Sequence, residues 1–161
     1  MNQQDIYSKD IFRPINGVIK ADSTQELKDE INEFVITAEQ QQDYKLPKFF
    51  HTLIPGQKPL CTWISGDFGS GKSHLLKILS YVLENDFPID GRPCADIFAE
   101  KAEDFELRGD IQKACRIPTE SVLFNIQEKL DATTKSTIGP VLHIHVKEFN
   151  RKVGYDDKKP G

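Results

Sequence analysis

Residues 66–73 form a glycine-rich segment that restricts the folds open to this chain. They read GDFGSGKS and match the pattern G-x-x-x-x-G-K-[ST] at every fixed position. With average residue frequencies, the pattern arises by chance in well under ~1% of chains of this length. This pattern binds phosphate only where it joins a strand to a helix. The flanking residues therefore decide whether the segment is a phosphate-binding loop.

The residues on either side of the segment predict a strand before it and a helix after it. Leu60–Ile64 is a short, apolar, β-prone run, which is typical of a buried strand in a parallel sheet. From about Gly71 to Glu84 the apolar residues recur at helical spacing, so we predict a helix with one face packed on that sheet. That face consists of Leu75, Ile78, Leu79, Val82 and Leu83. Ser121–Ile126 and Val141–Lys147 are two further predicted strands.

The segment predicts a site for nucleotide phosphates. Its glycines allow successive backbone N–H groups to point inward, and the helix that follows adds its positive dipole end. Lys72 would contact the β- and γ-phosphates, and the Ser73 hydroxyl would ligate Mg²⁺. The predicted cofactors are therefore ATP and Mg²⁺. The predicted binding residues are Gly66, Asp67, Phe68, Gly69, Ser70, Gly71, Lys72, Ser73 and His74.

The sequence evidence for a functional role is weaker for some of these residues and for several other side chains. Asp67 and Phe68 occupy variable positions of the motif, and His74 either approaches the nucleotide or is solvated. His143 and His145 would share one face of a strand, but without an obvious third ligand a metal-free sheet face is favoured. Three widely spaced cysteines with no CxxC pattern indicate free thiols in a reducing cytosol: Cys61, Cys94 and Cys115.

Hydrolysis by a P-loop protein needs a second acidic site, which usually follows an apolar strand. Val122–Asn125 ends in Asn, and Val141–Val146 runs into Lys147. No arginine among Arg108, Arg116 and Arg151 has the surroundings of an arginine finger. The catalytic residues are therefore unknown, and it stays open whether this segment hydrolyses ATP by itself.

The remaining patterns complete the predicted organisation. Ser23–Glu26 is a capping box that begins an amphipathic helix, with Leu27, Ile31, Phe34 and Val35 on its apolar stripe. An extended arm precedes it, and helical patterning stops near Pro47. Cys94–Arg116 is predicted to be helical, with a break at Gly109. We thus predict an AAA-like α/β P-loop NTPase with an incomplete parallel-sheet core at residues 60–161, preceded by an arm and helical region at 1–59.

Composition excludes several classes of function. The 161 residues are 38% hydrophobic and 29% charged with a net charge of −4, which is typical of a soluble globular protein. The basic residues are dispersed, so the sequence has no direct nucleic-acid signature. The first ten residues lack the apolar stretch of a signal peptide, and no run reaches the roughly 18 apolar residues of a membrane span. We expect a cytoplasmic protein without membrane contact.

Longer stretches around the motif are similar to a known family. The sequence resembles the N-terminal part of the BrxC-type P-loop proteins of the BREX phage-defence systems, which are related to the PglY proteins. Four regions carry the resemblance. They are Asp10–Asp22, Glu33–Thr37 with Lys48–Phe50, Trp63–Tyr81, and Leu123–Ile126 with Phe149–Tyr155.

The resemblance implies the N-terminal ATPase portion of a much larger phage-defence protein. It would work in the cytoplasm with other BREX components, including a DNA methyltransferase, and AAA-like relatives often form homo-oligomeric rings. An alternative is a truncated, non-hydrolysing interaction or assembly module of the same type of complex. A small nucleotide kinase is disfavoured because no acceptor-binding or Arg-rich lid segment is recognisable.

Overall fold

The structure, a computed structural model, describes residues 27–42, 45–57, 61–125 and 138–155. Within these ranges the chain forms six helices and no strand. The helices are α1 (Leu27–Glu33), α2 (Leu46–Leu53), α3 (Lys72–Glu84), α4 (Cys94–Glu100), α5 (Phe105–Ala114) and α6 (Ile138–Val153). No helix in the described part of the chain has the length and apolarity that crossing a membrane requires.

Helices α1 to α5 share one hydrophobic core. Helix α2 packs against α5, while α4 contacts α1, α3 and α5. Three phenylalanines from separate segments meet in this core. The ring centroid of Phe98 lies 5.8 Å from that of Phe34 and 6.1 Å from that of Phe50. Phe50 and Phe98 are completely buried, and each contributes about 1.5–3 kcal/mol of hydrophobic stabilisation.

Helix α3 is the best predicted element. It begins at Lys72 and ends at Glu84, which confirms the predicted helix from about 71 to 84. Its buried residues include Ile78, Leu79 and Val82. These apolar side chains pack within the helical core, so the prediction that this face lies on a sheet was wrong.

A buried ion pair joins α3 to α1. The Lys77 Nζ lies 2.6 Å from one carboxylate oxygen of Glu30 and donates a hydrogen bond of 2.8 Å to the other. The two side chains are 2% and 11% exposed. Such a pair needs both partners, because removing one leaves an uncompensated charge in a low-dielectric environment.

The connections around α4 are determined by local turn and cap chemistry. Asp90 and Gly91 have φ values of 50° and 78°, and the backbones of Ile89 and Arg92 exchange hydrogen bonds of 2.8 and 2.9 Å across them. Two central residues with positive φ are the mark of a type I′ turn, which an Asp-Gly pair favours. Asp104 then caps α5 by accepting a 2.7 Å hydrogen bond from the Leu107 N–H.

The predicted parallel sheet is contradicted over the described residues. Residues 61–65 and 121–125 lie in irregular segments, and residues 141–147 are helical within α6. Short apolar runs are ambiguous, since a buried helix produces them as readily as a strand does. The buried Ile144 is followed four residues later by the buried Glu148, just past the predicted strand, which is a helical period. The fold class in this part of the chain is all-helical and not α/β.

Three smaller predictions were also wrong. Pro47 does not end a helix but lies in the first turn of α2, where its missing N–H costs nothing. The break in the 94–116 region falls between α4 and α5, and Gly109 lies inside α5. Val35 follows the end of α1 and is 73% exposed, so it leaves the predicted apolar stripe. The capping box, the arm and the domain boundary at residues 59/60 lie outside the described residues.

Candidate functional site

The glycine-rich loop at residues 66–71 is an exposed turn that leads into α3. Ser70 donates a backbone hydrogen bond of 3.2 Å to the Asp67 carbonyl. Gly69 and Gly71 both have φ of 82°, in the left-handed region that side chains disfavour. A Cβ on Gly66 would lie 2.9 Å from the Ser70 Oγ. The left-handed backbone therefore favours glycine at positions 69 and 71, and a side chain at position 66 would require the Ser70 hydroxyl to move.

Lys72 folds back over the loop that precedes it. Its Nζ donates hydrogen bonds to the carbonyl oxygens of Gly66 at 2.8 Å and Asp67 at 2.5 Å. A third hydrogen bond, of 3.2 Å, reaches the Ser70 Oγ. The ammonium group is thus held at the loop by three oxygen acceptors, and an arriving anion would find the positive charge already in place.

The start of α3 supplies the second anion-binding element. Gly71 occupies the N-cap in a left-handed conformation, and no side chain among the described residues caps the helix there. The first backbone N–H groups of any α-helix lack intrahelical acceptors and carry the positive end of the helix dipole. The Ser73 side chain lies in this first turn and is exposed, so its hydroxyl can reach a metal ion beside a bound phosphate.

These features fit the phosphates of a magnesium nucleotide. The segment brings the Lys72 ammonium, the start of α3 and the Ser73 hydroxyl together within eight consecutive residues. Asp67 and Phe68 occupy the exposed loop, and Phe68 is fully solvent-accessible. Neither side chain turns toward the core, and whether either contacts a nucleotide stays a prediction.

His74 does not lie in solvent, although one of the two sequence interpretations placed it there. Its ring packs edge-on against Phe34 with centroids 5.4 Å apart, and its Nε2 is buried with no hydrogen-bond partner among the described residues. Burial is the main cause that lowers the pKa of His74; Lys77 lowers it further, whereas Glu30 opposes the shift. The imidazole therefore links the first turn of α3 to the α1 region in its neutral form.

Sequence reasoning missed the Glu30–Lys77 pair beneath this histidine. Lys77 lies on the same helix as the P-loop lysine, five residues further on, and is almost completely buried. The available signal was its position between Leu75 and Ile78 on the apolar side of a predicted helix. A lysine at such a position requires a buried acidic partner.

The two histidines of α6 do not form a metal site. His143 and His145 are two residues apart on a helix, which places them about 200° apart around its axis. Both are exposed. No group of three or more His, Cys, Asp or Glu residues in the described ranges is arranged to hold a metal ion. Their predicted shared sheet face was wrong because the segment is helical.

A groove of about 420 Å³ lies at the C-terminal half of α3, away from the loop. Lys152 crosses it, pairing with Glu84 and, at 3.2 Å, with Glu120. The same ammonium donates a 2.7 Å hydrogen bond to the Ser121 carbonyl. The contacts of Lys152 hold α6 and residues 120–121 to α3. The polar groups of this groove therefore have a structural role.

The predicted free thiols are present as such. Cys61 is exposed, whereas Cys94 and Cys115 are buried, and none of the three forms a disulfide. Burial raises the pKa of Cys94 to about 11 and that of Cys115 to about 12, with Asp96 contributing to the second shift. The two buried thiols are therefore protonated and chemically inert at neutral pH.

No protein-family model matches the chain, and no solved structure matches it. The chemistry of the candidate site therefore follows from its own residues.

Proposed function

We propose that this chain binds a nucleoside triphosphate, ATP with Mg²⁺, through Gly66–Ser73. The observation that supports this most is the position of the Lys72 ammonium, which the oxygens of Gly66, Asp67 and Ser70 hold against the loop. A lysine of purely structural importance would be expected to pair with a carboxylate. Within the described part of the chain the acceptors of its three hydrogen bonds are neutral, which favours a site that receives an anion.

Each part of the loop has a separate task in this proposal. The glycine backbone and the first turn of α3 donate N–H groups to the phosphates, and Lys72 neutralises the charge of the terminal ones. Ser73 ligates the Mg²⁺ that bridges two phosphate groups. The strand expected before the loop is not formed by residues 61–65, so the proposal rests on the loop and the first turn of α3 alone.

A nucleotide titration tests the proposal. Fluorescent analogues of ATP and AMP, each with Mg²⁺, would be titrated with the 161-residue chain. Because the proposed contacts are to the β- and γ-phosphates, ATP should bind at least about tenfold more tightly than AMP. The Ser73→Ala variant should lose much of the Mg²⁺ dependence. Equal affinity for the two nucleotides would contradict the proposal.

The wider biological proposal rests on the resemblance alone. The similarity of Trp63–Tyr81 and the other three regions to BrxC-type proteins supports a role as the ATPase portion of a BREX phage-defence protein. In that role it would assemble with other BREX components, including a DNA methyltransferase. Introducing Lys72→Ala into a host that carries the complete system should abolish resistance to phage. Undiminished resistance would overturn this role.

A second candidate function is a non-hydrolysing interaction module. Large apolar side chains that are unusually exposed favour it, with Trp63 at 88% and Leu142 at 61%. A phosphate-release assay can exclude this second candidate. We expect the isolated chain to release phosphate from ATP at near-background rates, since the sequence lacks a recognisable second acidic site. Mg²⁺-dependent turnover that is lost in Lys72→Ala would exclude a purely non-hydrolysing role.

A further inference from the structure

Few contacts fix the orientation of the first turn of α3. Within the described residues, the three hydrogen bonds of Lys72 all go to the loop before it, and the Ser73 side chain is exposed. No side chain in this part of the chain caps the helix, and its buried residues begin only at Lys77. The direction in which the first turn presents its N–H groups therefore depends on His74 and the partly buried Leu75.

His74 attaches this turn to the end of α1. Its ring meets that of Phe34 edge-on, with centroids 5.4 Å apart and an angle of 82° between the ring planes. Phe34 is buried, and its N–H donates a 2.9 Å hydrogen bond to the Glu30 carbonyl. Its ring also packs against Phe98 in the core. The residue that immediately follows Ser73 thus contacts a side chain that is itself firmly held.

The contact depends on the ring of His74 and not on its Nε2. That nitrogen is buried with no hydrogen-bond partner among the described residues. A buried nitrogen in this state weakens an attachment, because it has given up its hydrogen bonds to water. Edge-to-face packing of two rings, in contrast, stabilises a contact beyond the area that it buries. A phenyl ring at this position should therefore serve as well as the imidazole.

A second contact between α1 and α3 lies on the same side of the helix. Lys77 follows His74 by three residues, so the two side chains are neighbours on the helix surface. The buried ion pair of Lys77 with Glu30 joins the second turn of α3 to α1, as the ring contact joins the first turn to the residue after α1. A displacement of α1 would therefore be transmitted to the turn that carries the phosphate-binding residues.

We propose that His74 is a positioning residue of the nucleotide site and couples that site to α1. It acts through Lys72 and Ser73, because its packing against Phe34 holds the first turn of α3 in the orientation that binds the β- and γ-phosphates. This inference rests on the proposed binding of Mg-ATP through the loop. Since coupling between two sites is reciprocal, bound nucleotide should in turn stabilise α1 against local opening.

Three substitutions of His74 test the role of its ring. His74→Ala should raise the Kd for a fluorescent Mg-ATP analogue at least about fivefold, and it should reduce the preference for ATP over AMP. His74→Phe keeps a ring and should recover most of this loss. His74→Asn keeps a polar side chain without a ring, so it should bind as weakly as His74→Ala.

A double-variant comparison tests the contact with Phe34. Phe34→Leu should raise the Kd about as much as His74→Ala, and combining the two substitutions should add little to either single effect. Ile111→Val is the control for lost stability, because Ile111 is completely buried on α5, which packs against α2 and α4. It should lower the midpoint of urea denaturation and leave the Kd unchanged.

Hydrogen exchange measures the coupling itself. At saturating nucleotide, Mg-ATP should slow amide exchange in α1 of the natural sequence and of His74→Phe, and it should slow exchange much less in His74→Ala. If His74 only stabilised the fold, its substitution would change the exchange rates equally with and without nucleotide.

Three results would overturn the inference. The first is an unchanged Kd in His74→Ala while the natural chain still prefers ATP to AMP, which would leave the proposed function intact. The second is binding that is lost in His74→Phe and kept in His74→Asn, which would identify a direct contact between the imidazole and the nucleotide. The third, equal affinity of the natural chain for ATP and AMP, would contradict the proposed function and the positioning role together.

Discussion

The Nζ of Lys72 lies 2.8 Å from the carbonyl oxygen of Gly66, so the seventh residue of the glycine-rich motif contacts the first. This contact closes the loop into a ring before any ligand arrives. A bound phosphate would replace the carbonyl acceptors with charged oxygens, to which an ammonium donates stronger hydrogen bonds. Under the proposed function, this arrangement would preorganise the loop for an anion, and the predictions about the loop follow from that proposal.

The backbone of the loop can be tested with matched glycine substitutions. Gly69 and Gly56 have φ values of 82° and 93°, and a Cβ on either would meet no atom within 4 Å. Alanine at each position therefore introduces a similar backbone strain of about 1–2 kcal/mol. Gly69→Ala should raise the Kd for Mg-ATP about tenfold by reorienting the loop N–H groups, whereas Gly56→Ala should not. Equal affinities in the two variants would show that the loop backbone does not hold the nucleotide.

The buried pair between α1 and α3 predicts a large loss of stability. Lys77→Met should lower the free energy of unfolding by about 3–5 kcal/mol, because it leaves Glu30 charged and almost buried. The double variant Lys77→Met/Glu30→Leu should recover most of that loss. Urea denaturation measures both changes.

The control for this comparison is an exposed ion pair between α1 and the loop that joins α3 to α4. Lys28 and Asp90 lie 2.7 Å apart with side chains 59% and 66% exposed. Lys28→Met should change the free energy of unfolding by less than about 1 kcal/mol. If Lys77→Met and Lys28→Met had the same small effect, the Lys77–Glu30 pair would not be buried in solution.

The cysteines predict both a labelling pattern and a dependence on pH. A maleimide at pH 7.5 should label only Cys61 in the folded chain and all three cysteines in denaturant. Since burial raises the pKa of Cys94 from 9.0 to about 11, its thiol stabilises the fold below pH 9, and this contribution is lost as the pH rises toward 11. Stability should therefore fall less steeply above pH 9 in Cys94→Ala than in the natural sequence. Rapid labelling of native Cys94 would contradict the buried position.

The sequence was informative where a local rule acts over many residues. The bounds of α3 could be predicted because five apolar residues recur at helical spacing over about two and a half turns. The strand predictions rested on runs of about five to seven residues, where a buried strand and a helix look alike. The Asp90-Gly91 turn and the Asp104 cap had usable local signals, namely the Asp-Gly pair and an Asp three residues before Leu107.

In the candidate site, too, local sequence rules predict some features and miss others. The motif identified the loop, since Gly66, Gly71, Lys72 and Ser73 occupy its fixed positions. His74 packs against Phe34, which lies forty residues earlier in the sequence, and Lys77 pairs with Glu30 of α1. Such contacts follow from tertiary packing, which no spacing within one helix encodes.

The affinity of the Lys72→Ala variant for a fluorescent ATP analogue, with Mg²⁺ present, tests the central claim. Lys48, an exposed lysine on α2, provides the control variant Lys48→Ala. We predict that Lys72→Ala raises the Kd at least about tenfold, while Lys48→Ala binds like the natural sequence. Equal affinity of Lys72→Ala and the natural sequence would show that Gly66–Ser73 is not the nucleotide site.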